Sequence, residues 1–79
     1  MKFDKSRVYT ALNADELNID DKVIVSNNLY LLMKKVRECN KESIRKIREI
    51  KPNYYESRFQ ITTGEMFILA YLVERKKEE

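Results

Sequence analysis

Chemistry needs particular side chains near one another, and few are present in this chain. Asp15, Glu16, Asp20 and Asp21 form the one carboxylate cluster, and a hard divalent cation would seek such oxygens. Their spacing lacks the alternating ligands and the turn glycine of a calcium loop, so helix capping and turn formation account for them better. The single thiol, Cys39, stands near Arg37 and Lys41, cations that would favour a thiolate. It also ends an apolar helical stripe, where a cysteine serves as a small buried hydrophobe. The chain has no histidine, which removes Ser-His and Cys-His nucleophile activation and the usual structural zinc sets. Gly64 is the only glycine. Phosphate loops and dinucleotide fingerprints bring backbone close to phosphates at several glycines, so neither is expected. The residues predict no catalytic, metal or cofactor site.

Recognition is what they leave open. Residues 34–51 carry eight basic and three acidic groups, whereas 1–22 and 52–79 each carry four basic and five acidic ones. The basic residues of 34–51 could neutralise several phosphates or meet an acidic protein surface. The plainer account is a solvated helix face followed by a charged edge strand that resists edge-to-edge aggregation. A net charge of +3 is also small for a dedicated nucleic-acid binder. Tyr54 and Tyr55, with Arg58 nearby, could stack on bases. Core packing with the hydroxyl at the surface is the commoner use, with the second tyrosine of the pair as an interface anchor. The candidate partner-binding residues are Lys34, Lys35, Arg37, Lys41, Arg45, Lys46, Arg48, Tyr54 and Arg58.

The elements that must carry these side chains can be read from pattern. Residues 58–73 read RFQITTGEMFILAYLV, two apolar runs around a TTGE turn that uses the glycine. The uncharged run 66–73 is short enough for a strand buried on both faces. Ahead of it, 7–12 is rich in strand formers. Asn13 can cap a short helical turn with Asp15 and Glu16 at its positive end, Leu17 tucking back as a plug. Asn18 to Asp21 is turn chemistry. Lys22–Ser26, with three successive β-branched residues, is a second strand. Asn27 or Asn28 then caps a helix running to about Cys39, with Leu29, Leu32, Met33, Val36 and Cys39 on its buried face. Lys34, Lys35, Arg37 and Glu38 are assigned to its solvent side.

Residues 43–50 are ambiguous: Ile44, Ile47 and Ile50 recur at helical spacing, while isoleucine richness and the adjoining Lys51-Pro52-Asn53 turn favour a strand. Strand is the reading taken, with helix as the alternative. Residues 54–61 alternate as a half-exposed strand, and 74–79 form a charged tail expected to fray. The sum is one α+β domain over 1–79, with an antiparallel sheet of four to five strands packed against one amphipathic helix. One cysteine, no signal-like N-terminal run and no apolar stretch near the ~20 residues of a membrane span lead to the expectation of a soluble protein in a reducing cytosol.

The segment Phe3-Asp4-Lys5-Ser6-Arg7-Val8-Tyr9-Thr10-Ala11-Leu12-Asn13-Ala14-Asp15-Glu16-Leu17 resembles that of small proteins encoded in prophages and mobile elements of Gram-positive gut bacteria. The likeness continues through Asp21-Lys22-Val23-Ile24-Val25, Asn28-Leu29, Arg58-Phe59 and Ala70-Tyr71-Leu72-Val73-Glu74, and breaks off over about 39–57, where many of the basic residues lie. The family carries over no activity and no site residue. What the resemblance implies is context: a non-enzymatic accessory protein acting in a bacterial host cytoplasm. Such proteins commonly bind and block a host protein or ribonucleoprotein complex, so an anti-CRISPR-like or other anti-defence inhibitor is the expectation. Mimicry of DNA would need dense acidity that is absent. The alternative is a small nucleic-acid-binding or regulatory module using 34–51, and a homodimer through an exposed sheet edge stands beside a monomer.

Overall fold

A computed structural model describes residues 2–38, 40–51 and 59–76. Among them the chain forms six strands, β1 (Val8–Tyr9), β2 (Lys22–Ser26), β3 (Ile44–Ile50), β4 (Phe59–Ile61), β5 (Met66–Phe67) and β6 (Leu69–Glu74), and one α-helix, α1 (Leu29–Glu38). All neighbouring strands are antiparallel, in the order β1-β6-β2-β3-β4-β5, and the helix packs on the sheet, an α+β fold. Of the ambiguous residues 43–50, Ile44–Ile50 form strand β3, and Ser43 ends a single 3-10 turn, Lys41–Ser43, that Asn40 caps on the Glu42 N–H. The expected strand over 54–61 is seen as β4 alone, because 52–58 lie outside the described residues.

The sheet cannot be flat. β5 lies at one end of the order and β6 next to the other end, four strand spacings or roughly 19 Å away in a plane. Only Ile68 joins them, and Phe67 to Leu69 reaches at most about 7 Å. The sheet therefore rolls, and the run expected as one strand, 66–73, bends at Ile68 to serve both ends. The bend leaves the Ile68 N–H outside the ladder; the Asn27 side chain accepts it at 3.1 Å. β3 forms the opposite corner. Its first half pairs with β2 (Lys46 opposite Lys22, Ile44 opposite Ile24) and its second half with β4, with a register shift between Ile47 and Glu49 that bends the strand.

Rolling gives the sheet two buried faces, which explains why β2 and β6 are almost continuously apolar. Val23, Val25, Ala70 and Leu72 point into the roll with Tyr9, Ile47, Phe59 and Ile61, and Ala14 and Leu17 close it from the 3-10 turn Ala14–Glu16. The intervening Ile24 and Tyr71 point outward against Leu32 and Val36 of α1, with Val8, Ile44, Leu69 and Val73 around them. Leu17, expected as a plug, is buried. Asn13 does precede the turn, but its Oδ1 accepts from the Thr10 N–H at 2.8 Å and caps no helical N–H. Phe3 stacks on Tyr71 with centroids 5.4 Å apart, and the Tyr71 hydroxyl accepts from the Asp4 N–H at 3.1 Å, fastening the N-terminal segment to the outer face.

The tail expectation is corrected for Glu74, Arg75 and Lys76. Glu74 ends β6, and Asp21, a carboxylate with no exposed surface, holds the two residues beyond it. Asp21 Oδ1 accepts from the Lys76 N–H at 2.7 Å, and Oδ2 accepts from the Asn18 N–H at 2.9 Å and lies 3.3 Å from the Arg75 guanidinium. The same guanidinium donates to the Glu16 carbonyl at 2.6 Å and the Tyr9 hydroxyl at 3.2 Å. A buried carboxylate recruits such partners because leaving it unpaired is costly.

Candidate interaction surface

Helix α1 begins where Asn28 Oδ1 accepts the Leu31 N–H at 3.2 Å, the capping bond expected from an asparagine at that place. Its sheet-facing residues are Leu32 and Val36, both without exposed surface. Two assignments from the sequence are corrected. Leu29, expected on the buried face, is 51% exposed, whereas Leu32, three residues on, has no exposed surface. Lys35, expected on the solvent side, is half-buried, and its Nζ donates to the Val25 carbonyl at 3.1 Å. A long lysine stem can lie along apolar surface while its ammonium finds an oxygen.

The exposed start of the helix also carries Tyr30 and Leu31, 74% and 47% exposed. Tyr30, Met33, Lys34, Arg37 and Glu38 line a shallow groove of about 360 Å³ along the solvent side. Among the described residues neither Lys34 nor Arg37 has an ion-pair partner. The sequence reading missed Tyr30 and Leu31 as surface residues. The available signal was that both fall off the Leu32–Val36 stripe, so a helix packed on one side must show them to solvent.

The remaining basic candidates go elsewhere. Lys41 is exposed on the turn before β3. Arg45 is half-buried and bends back to donate to the carbonyls of Glu42 and Ile44. Lys46 points to the opposite side of the strand, facing Lys22 across the β2–β3 pair. Like charges directly opposite repel, and Glu74, 3.7 Å from Lys22, offsets this. Lys22 and Lys46 line a cleft of about 330 Å³ with Asp20, Glu74, Arg75 and Lys76, in which cations and carboxylates are mixed. Arg48 is exposed at the bent half of β3. Tyr54 and Arg58 lie outside the described residues.

A larger groove, about 690 Å³, lies at the N-terminal segment between Lys2, Phe3, Asp4, Lys5, Arg7, Tyr71 and Val73. Its polar groups are largely engaged: the Arg7 guanidinium donates to the carbonyls of Leu72 and Val73 at 3.1 and 3.2 Å, and Asp4 accepts from Ser6 Oγ at 2.7 Å and the Ser6 N–H at 2.9 Å. Those bonds, the side-chain one first, lower the Asp4 pKa below its ordinary value. Among the described residues no cluster of three or more carboxylate or thiol groups is placed to hold a metal ion. Asp21, one of the four carboxylates in the N-terminal cluster, is instead the buried anchor of Arg75 and Lys76. No helix among the described residues is long and apolar enough to cross a membrane.

Comparison with protein-family models, with curated proteins and with solved structures gave no match.

Proposed function

We propose that this protein is a non-enzymatic binding module that attaches to a host protein and modulates it, with the first two turns of α1 as the contact. The observation that carries this reading is the run Leu29, Tyr30 and Leu31, three consecutive large apolar residues at 51%, 74% and 47% exposure. Surface of that kind is uncovered by the fold's own packing, and a partner that covers it gains the transfer free energy folding left unused. Tyrosine is among the residues that dominate interface energetics. The helix beneath is anchored by Leu32 and Val36, so little ordering is needed on binding. In the setting implied by the resemblance to prophage proteins, the target is a host protein or ribonucleoprotein complex, and an anti-CRISPR-like or other anti-defence inhibitor is the specific form of the proposal.

A nucleic-acid-binding role for 34–51 draws less support. Lys35 and Arg45 spend donors on the chain's own carbonyls, and Arg45 and Lys46 project to opposite sides of β3. Such a site needs its cations on one surface.

The test is affinity capture from a bacterial host lysate, with and without nuclease, using the tagged protein and its Tyr30→Ala/Leu31→Ala variant. The expected result is a stoichiometric protein partner that survives nuclease and is lost with the variant. Capture that disappears with nuclease and ignores the variant would overturn the proposal in favour of the nucleic-acid role.

A further inference from the structure

The chemistry of the partner can be read one step further, on the footing that α1 is the contact. Residues three, four and seven apart lie along one face of a helix, and Tyr30, Met33, Lys34 and Arg37 stand in that relation. The face away from Leu32 and Val36 thus pairs an exposed aromatic and a half-buried thioether with two cations along one groove, in which Lys34 and Arg37 outnumber the single carboxylate, Glu38. Among the described residues both cations stay clear of the ion pairs that hold Lys22, Lys51, Arg75 and Lys76. The cations lie within one or two helical turns of the aromatic, so a ligand that buries an apolar side chain on Tyr30 and Met33 brings its neighbouring groups against Lys34 and Arg37. Lysine or arginine in the ligand would meet a surface where two cations outnumber the one carboxylate of Glu38, and uncharged neighbours would leave the cations partly desolvated with little compensation. Carboxylates would be met at a bidentate-capable guanidinium and an ammonium.

We infer that the occupant of this groove is an acidic amphipathic protein segment, with an aromatic or aliphatic anchor seated on Tyr30 and Met33 and aspartate or glutamate within one helical turn of it, meeting Lys34 and Arg37. This is charge complementarity on a helix face, in which apolar burial supplies affinity and the two cations supply selection among partners.

A random peptide display library selected on the full chain tests this, with binding measurements then made on the enriched peptides over a range of salt. Enriched peptides should carry acidic residues flanking an apolar anchor, bind more weakly as salt rises, and bind Lys34→Glu/Arg37→Glu at least about tenfold more weakly. Selection on that charge-reversed chain should turn the preference toward basic peptides, a change that mere loss of folding would not produce. A melting curve of the charge-reversed chain should match that of the parent, since both positions are exposed. Enriched peptides that are uncharged or basic, or that bind the charge-reversed chain equally well, overturn the acidic-partner inference. If those peptides still require Tyr30, the protein-binding reading survives it. Failure to enrich any peptide dependent on Tyr30, or tighter binding of a single-stranded oligonucleotide dependent on Lys34 and Arg37, overturns both.

Discussion

Asp21 has no exposed surface and three bonded partners, two backbone N–H groups and the Arg75 guanidinium. Removing the carboxylate would leave all three facing one another, so Asp21→Ala should destabilise the fold by about 3 kcal/mol in urea unfolding. Arg75→Ala should cost about 1–3 kcal/mol, and Arg75→Lys should recover little of it. An ammonium cannot fork to Asp21, the Glu16 carbonyl and the Tyr9 hydroxyl together. Asp4 behaves differently, being exposed. Its folded pKa is lowered by the two Ser6 bonds, so its contribution to holding the N-terminal turn is present above the unfolded aspartate pKa and lost as pH falls through the lowered folded value. In an NMR pH titration the Ser6 amide should move at a pH below the ordinary aspartate range, and Asp4→Asn should abolish that transition. That Asp21 and Arg75 meet was not legible in the sequence. They are far apart along the chain, and an Asp-Asp turn and a charged tail each have an adequate local explanation.

Helix α1 shows which part of an element's role is local. Leu31 and Leu32 are adjacent and chemically identical, yet Leu32 has no exposed surface and Leu31 is 47% exposed. Leu32→Ala should cost about 2–4 kcal/mol through transfer and cavity terms, and Leu31→Ala should stay within about 0.5 kcal/mol, a contrast thermal melts would read directly. The 3.6-residue period located the Leu32–Val36 stripe correctly. It misplaced Leu29 and Lys35, because periodicity gives a direction around the axis and says nothing about how far the underlying sheet extends or where a carbonyl such as that of Val25 waits. The TTGE turn was readable for a purely local reason. Gly64 adopts φ +93° and accepts nothing else comfortably, although a Cβ there would meet no atom within 4 Å. Gly64→Ala should therefore cost about 1–2 kcal/mol from backbone strain alone, with the core otherwise unchanged.

Rolled as one sheet with a helix outside, the molecule has its most protected backbone in β2 and β6, which are paired on both sides and buried on both faces. Native-state hydrogen exchange should find the slowest amides at Ile24, Val25, Tyr71 and Leu72, and faster exchange in β1 and β5, two-residue strands at the ends of the order. Uniform exchange across all six strands would contradict that arrangement. The shortness of both end strands also limits edge-to-edge pairing, which leaves the exposed turn of α1 as the larger sticky surface. Light scattering is expected to show a monomer whose weak association at high concentration, if present, is abolished by Tyr30→Ala.

The α+β class, the helix, the strands of the 22–26 and 66–73 runs and the glycine turn could be read from the chain because each rests on local sterics and short-range periodicity. The choice of strand over helix at 43–50 was weaker, since three isoleucines at threefold spacing fit both, and pairing with β2 and β4 settled it. Folding alone determined that the 66–73 run bends at Ile68, that the sheet rolls and so buries two faces, that Asp21 anchors Arg75, and that Lys35 turns in to the Val25 carbonyl. Each of these depends on segments distant in sequence arriving side by side, and a pattern read along one chain holds no term for the neighbour it will meet.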